Sequence, residues 1–344
     1  DIQRPSKIVA DAMDHWNKDN KDVHIQFATT DQYFKKIEKW RLEEYQGEMP
    51  CWWDTVQICE LERGLRDKRL EGKLIAAETF SLLSHLVTGT EYPKEDLDIA
   101  WKYRLMVNEH NWGGCNWGFQ EGEISDEIQT SQIKAAEVIS LRALKAGCLQ
   151  LSGNIKDIFN GQRIVVFNPT SWDRKDVVEQ VITLEDSNWF DIHLLDEVQK
   201  EIPVQILSRE LNPNGSMKKV KILFIADVPA LGYNTYTLLS QKGRKKRISS
   251  LIVEGTALEN PIFRLKLNPK TGGIQELWDK RRKKNLLQTG KWEGNEIIVH
   301  EDKGLDECEI LTGISWTSKE FPCRVYITEH GPVRSTICVK GEIE

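Results

Sequence analysis

Residues 164–178 read IVVFNPTSWDRKDVV, and around them the apolar period of the chain changes from 3.6 residues to 2. Short alternating runs follow, among them VVEQVITL (177–184), FDIHLLD (190–196), IPVQILS (202–208), KVKILFIADVP (219–229), NTYTLLS (234–240), SLIVEG (250–255), PIFRLKLNP (261–269), EIIVH (296–300), RVYITE (324–329) and RSTICVKG (334–341). Turn chemistry separates them: NPTSW, NPNGS, ALGY and NPKTGG. Many short strands with frequent turn signals predict an antiparallel β-sandwich over 154–344. Residues 268–279, NPKTGGIQELWD, read as a hairpin in which Gly272 and Gly273 are free to take positive φ.

Upstream of residue 154 the spacing is helical. DQYFKKIEKWRLEEY (31–45) predicts a helix capped by Asp31 or Thr30, and a second runs from about 54 to 87, with Val56, Cys59, Leu65, Leu74, Ala77 and Leu82 as an interrupted stripe. Thr88, Gly89, Thr90 and Pro93 break it. A third helix lies in AWKYRLMVNEHNWGG (100–114), and a fourth runs from Ser125 to near Gly153. Helices joined by short polar turns predict an antiparallel bundle over 31–153. Residues 8–29 read as a helix followed by a strand, VHIQFAT, and so as the C-terminal remnant of an α/β domain over 1–30. The expected fold class is thus multi-domain α+β: α/β remnant, helical bundle, β-sandwich.

Composition narrows the function classes. With 344 residues, 40% hydrophobic and 29% charged, the chain suits two or three packed domains and not a disordered segment. A net charge of −6 argues against nucleic acid as a partner, and the basic run KGRKKR (242–247) reads as a solvated loop. Seven scattered cysteines without a CxxC look like reduced thiols, which leans towards a cytoplasmic setting. No apolar run is long enough to cross a membrane. Both ends read as cut from a longer polypeptide, with Asp1 first and Glu344 directly after a strand-like run.

Within 100–114, Trp101, Leu105 and Trp112 recur on one helical face, and Tyr103, Met106 and His110 on the next. His110 therefore points into or beside a packed interior, and periodicity alone leaves two readings open. It is a satisfied core histidine, or it is a metal ligand delivered by a helix.

The order of these regions, with VHIQFATTDQYFKKIEK (23–39), MVNEHNWGG (106–114), IVVFNPTSWDRKDVV (164–178), VPALGYNTYTL (228–238) and LENPIFRLKLNPKTGGIQELWDK (258–280), resembles glycoside hydrolase family 38, the α-mannosidases. The resemblance runs from the tail of the catalytic domain through the middle helical domain into the C-terminal β-region. It implies a retaining glycosidase in which one aspartate forms a glycosyl-enzyme and a second carboxyl group donates and recovers a proton. It also implies one divalent metal per site, usually zinc, bound to the sugar's 2- and 3-hydroxyls, with three ligands upstream and one histidine from the helical domain.

His110 matches that histidine. Glu109 is adjacent in sequence but on a different face, and so is a poor acceptor for its free ring nitrogen. Many family members carry aspartate where this chain has Asn111, which can still hydrogen-bond a sugar hydroxyl but bears no charge. Trp112 and Trp117 are candidates for stacking on a pyranose ring, with a core role as the alternative. Asp1 is a candidate acid/base, and the nucleophile lies outside the chain.

The expected partner is a mannoside or oligosaccharide, with neither nucleic acid nor membrane, and a homo-oligomer is allowed. The chain alone is expected to be inactive. A reading from a different class is a non-catalytic carbohydrate-binding or scaffolding module with a buried structural His110. His85 reads as a helix-end cap, and His300 and His330 as solvated strand residues. No phosphate-binding glycine loop or GxSxG elbow is present.

Overall fold

The computed structural model describes residues 7–44, 61–108, 120–156, 161–185, 188–241, 249, 251–288, 290–303 and 311–342, without the side chains of 61, 120–123, 241, 302 and 311. The chain divides into two compact units, Asp1–Cys51 and Trp52–Glu344.

In the first unit, α1 (Ile8–Asp19) is followed by an extended segment that it holds by side chains. Asn17 mimics a strand partner for Ile25, its amide donating to the Ile25 carbonyl at 2.7 Å and its oxygen accepting the Ile25 N–H at 2.8 Å. Trp16 Nε1 donates to the Val23 carbonyl at 3.2 Å. The expected strand at 23–29 is therefore extended backbone with no ladder among the described residues. Helix α2 (Thr30–Ile37) is capped by Thr29, not by Asp31 or Thr30. Its Oγ1 accepts the Gln32 N–H at 3.3 Å while Gln32 Oε1 accepts the Thr29 N–H at 3.0 Å. This reciprocal capping box needs Ser or Thr three residues before Glu or Gln, a spacing only Thr29 meets. The helix stops at Ile37, well short of the expected end at 45.

Among the described residues of the second unit three helices form an up-down-up bundle: α3 (Leu61–Thr88), α4 (Lys94–Val107) and α5 (Gln120–Gly153). The first turn of α3 meets the second turn of α5 through Arg63 and Asp126, whereas Asp96 at the start of α4 meets Arg142 late in α5. Helices α3 and α5 are therefore parallel, with α4 antiparallel to both. Their shared core is Leu70, Leu74, Ala77, Leu97, Ala100, Val107, Ile133, Ala136 and Ala143. At Gly147 α5 lies so close to α3 that an added Cβ would be 2.7 Å from the Phe80 carbonyl oxygen. Helix α3 ends at Thr88, one residue past the expected end at 87, and Gly89 follows with φ of +72°.

The β-region opens with a two-layer sandwich. One sheet has strand order β1-β7-β3-β4: β1 (Gln162–Phe167), β7 (Tyr233–Gln241), β3 (Asp191–Leu195) and β4 (Glu201–Ile202). The other has order β2-β6-β5: β2 (Arg174–Thr183), β6 (Met217–Val228) and β5 (Val204–Leu211). Both sheets contribute to one core, in which Ile182, Val220, Ile222 and Phe224 meet Ile192, Leu194, Tyr236 and Leu238. Every pairing is antiparallel, as the alternation predicted.

The sandwich proper ends at β7. Beyond it, β8 (Ile252–Glu254), β9 (Ala257–Glu259), β10 (Phe263–Leu267), β11 (Ile274–Asp279) and β12 (Lys284–Asn285) form a five-stranded meander. Two hairpins complete the described chain, β13 (Ile298–Asp302) with β14 (Leu311–Thr317), and β15 (Cys323–His330) with β16 (Ser335–Gly341). The turn at 268–273 joins β10 to β11 as predicted, but only Gly272 takes positive φ, at +74°. Gly273 serves by leaving room for the Glu293 side chain.

Candidate functional site

The residues singled out for chemistry, Asp1, His110, Asn111 and Trp112, lie outside the described residues, as do Glu109, Trp117 and the basic run 242–247. The structure does define the end of α4 from which residues 109–119 lead on. The buried face of that helix is Leu97, Ala100, Arg104 and Val107. Leu105 and Met106, placed by the sequence reading on interior stripes, are 62% and 52% exposed. The error has a physical cause: Arg104 counts as polar in any periodicity, yet it is buried because a carboxylate receives it.

That carboxylate is Asp67 of α3, fully buried. One of its oxygens accepts from Arg104 Nη2 at 3.2 Å and the other from Asn108 Nδ2 at 2.9 Å. Asn108 is the C-cap of α4, where its backbone N–H bonds the Arg104 carbonyl. The same guanidinium reaches Glu71 at 3.2 Å and lies 5.7 Å from the Trp101 ring centroid. Two further pairs, Arg63 with Asp126 and Arg66 with Glu137, lie towards the same end of the bundle. The bond from Glu137 raises the pKa of Arg66 above its ordinary value. This end of the bundle is thus polar, whereas the middle is apolar.

Other candidates take structural roles. His85 Nδ1 is 2.8 Å from the Thr90 carbonyl oxygen, which ties the end of α3 to the turn beyond it. His330 Nδ1 is 2.9 Å from Ser335 Oγ across the last hairpin, and His193 Nδ1 is 2.6 Å from Glu201. Cys148, Cys323 and Cys338 are free thiols, and burial pushes Cys148 up to about 11, where little thiolate forms.

Two segments behind the family resemblance come together at one side chain. Asn168 of NPTSW is 2% exposed. Its amide donates to the carbonyls of Trp172, Val228 and Pro229 at 2.8, 3.3 and 3.0 Å, and its oxygen accepts from the N–H and hydroxyl of Thr170. It thereby ties the β1–β2 turn to the β6–β7 turn of VPALGY.

A sequence model of the lysosomal α-mannosidase-like central domain matches residues 199–238, from β4 to β7. Over 98% of its length the chain superimposes on an α-mannosidase from Enterococcus faecalis V583, with a TM-score of 0.65 and 16% identity. It superimposes equally on a glycosyl hydrolase family 38 protein from Enterococcus faecalis, with a TM-score of 0.66 and 16% identity. The chain shares the fold of part of these two structures. No curated protein sequence matches the chain. The chain spans 42% of the length of each of those structures.

Sequence reasoning missed Asp67, Arg104 and Asn108. A signal was available, since an arginine between Ala100 and Val107 on an otherwise apolar stripe requires a buried partner.

Proposed function

We propose that this chain is part of a retaining, metal-dependent α-mannosidase-like glycoside hydrolase. The observation that carries the reading is the superposition of 98% of the chain, bundle and sandwich together, on family 38 structures. In this reading residues 1–30 end an α/β catalytic domain, 31–153 form the middle helical domain and 154–344 the C-terminal β-region. His110 contributes one neutral imidazole to a zinc site, Asn111 hydrogen-bonds a sugar hydroxyl, Trp112 stacks on the ring, and Asp1 is the acid/base. The substrate is a mannoside or oligosaccharide. Free thiols at Cys148, Cys323 and Cys338 suit a cytoplasmic protein.

Among the described residues no group of three or more His, Cys, Asp or Glu comes together, so they build no metal centre among themselves. The guanidinium groups of Arg63, Arg66 and Arg104 and the ammonium of Lys68 are matched by the carboxylates of Asp126, Glu137, Asp67 and Glu71. Bound zinc would hold the sugar's 2- and 3-hydroxyls and favour the distorted ring of the transition state.

The test uses the complete gene product. His110→Ala is expected to lower zinc content and to abolish hydrolysis of an aryl α-mannoside. Unchanged zinc content would remove the ligand assignment, and a wild type with neither zinc nor activity would favour the non-catalytic carbohydrate-binding or scaffolding module.

A further inference from the structure

We infer that a groove on the five-stranded meander binds a small amphipathic anion, an apolar chain ending in a carboxylate or sulfate. The groove has a volume of about 370 Å³ and is lined by Leu251, Leu258, Phe263, Leu265 and Leu277, with Val333 of the last hairpin beside them. Alternation along β10 makes this face apolar: Phe263 and Leu265 point one way, the exposed Arg264 and Lys266 the other. Leu265 pairs with Leu258 of β9 on one side and with Leu277 of β11 on the other, so three leucines form a row across the sheet. Small-molecule sites are of this size and kind, mostly apolar with a few polar groups that fix orientation. A methylene takes about the room of a water, roughly 30 Å³, so the groove holds a chain of about ten carbons. A sugar, by contrast, would bury hydroxyls against leucines that offer them no partner.

Charge selects the head group. Residues 280–284, which turn β11 into β12, read KRRKK, and Arg281 to Lys284 are exposed in a chain whose net charge is −6. Lys280 is engaged, donating to Glu259 and to the Asn260 carbonyl, each at 2.6 Å. The buried Asp279 carboxylate accepts the backbone N–H groups of Arg281 and Arg282 at 2.9 and 3.1 Å, while their Nε atoms stay 3.7 and 3.8 Å away. The Arg281 guanidinium instead lies over the groove residue Phe263, 5.8 Å from the ring centroid, where it can meet an anion whose chain lies along Leu265 and Leu258. Lys283 takes φ of +51°, a conformation that glycine adopts with least strain, and lysine there keeps the turn charged. The nearby carboxylates do not oppose an anion, because Glu259 is bound by Lys280 and both Glu329 and Glu179 by Arg334.

The experiment titrates the complete gene product with decanoate, and with decyltrimethylammonium as the head-group control, by calorimetry below the micelle concentration of each, with circular dichroism as the check on folding. Wild type is expected to bind decanoate saturably and about 10-fold or more tightly than the cation. Arg281→Glu changes an exposed residue and is expected to weaken decanoate about 10-fold or more. Lys266→Glu, the same charge change on the opposite face of β10, is expected to leave the affinity within about 2-fold. Leu258→Trp fills the groove and is expected to abolish binding. The two charge variants decide the matter even where Leu258→Trp does not fold. A wild type without saturable binding, equal affinity for the two head groups, equal affinities in Arg281→Glu and Lys266→Glu, or normal binding by folded Leu258→Trp each overturns the inference.

Discussion

Asn168 shows how much one side chain can organise. Its single amide meets three backbone carbonyls and its oxygen two donors, all on turns that would otherwise have to satisfy those groups separately. Asn168→Ala removes the amide donor to the buried Val228 carbonyl and to that of Pro229, while the Trp172 carbonyl keeps the Thr170 hydroxyl, and is expected to cost about 1–3 kcal/mol, read as a lower denaturation midpoint. A midpoint within error of wild type would show that water replaces the amide. Its importance was only half legible. Asn-Pro-Thr-Ser-Trp announced a turn, but nothing local announced that Asn168 also reaches Val228 and Pro229, some sixty residues away. The same holds for Asp67, whose partners Arg104 and Asn108 sit on another helix.

Among elements, helices were legible in existence and less so in facing. The reading of α3 named Leu74 and Ala77 correctly as core, but Leu65 and Leu82 are 47% and 49% exposed, and the wholly buried Leu70 was passed over. A helix flanked by two others has a broad, irregular buried arc, and Asp67, Ser81 and Ser84 on that arc dilute the apolar pattern. Two glycines in helices should respond with opposite signs. At Gly72 of α3 an added Cβ meets nothing within 4 Å, so Gly72→Ala is expected to stabilise by about 0.5–1 kcal/mol through helix propensity. At Gly147 of α5 the Cβ would press on the Phe80 backbone, which cannot yield as a side chain does. Gly147→Ala is expected to destabilise by about 1–3 kcal/mol. Equal shifts in urea midpoint for the two variants would contradict this packing account.

For the whole molecule, antiparallel β-structure was legible because each strand alternates, but its division into sheets was not. Pairing joins β1 to β7 and β2 to β6 across several intervening strands, and alternation says which face is buried, not which neighbour is chosen. Acid should weaken these sheets. Asp279 and Glu296 lie below their ordinary carboxylate range: burial opposes this, but it is outweighed at Asp279 by the Arg282 and Arg281 N–H groups and the charges of both arginines, and at Glu296 by the Glu293 N–H together with Lys319 and Thr317. Glu179 and Glu259 are lowered by bonds from Lys221 and Lys280. Because the folded-state values are the lower ones, the stabilisation is complete above the ordinary carboxylate range and is lost as pH falls through it towards the depressed values. Denaturation midpoints should therefore drop between about pH 5 and pH 2, and Asp279→Asn should flatten that dependence. A slope unchanged in the variant would remove Asp279 from the account.

The buried amide of Gln205 on β5 ties the sandwich to the last hairpin, accepting the N–H groups of Val333 and Arg334 at 3.1 and 2.9 Å and donating to Glu329 at 2.6 Å. These partners come 124 or more residues later in the chain. At synthesis rates of about 5–20 residues per second, a nascent sandwich waits roughly 6–25 s with that amide open before the hairpin leaves the ribosome. The β5 end of the sandwich is thus the last part of this region to be finished, and the place where a chaperone would find it incomplete.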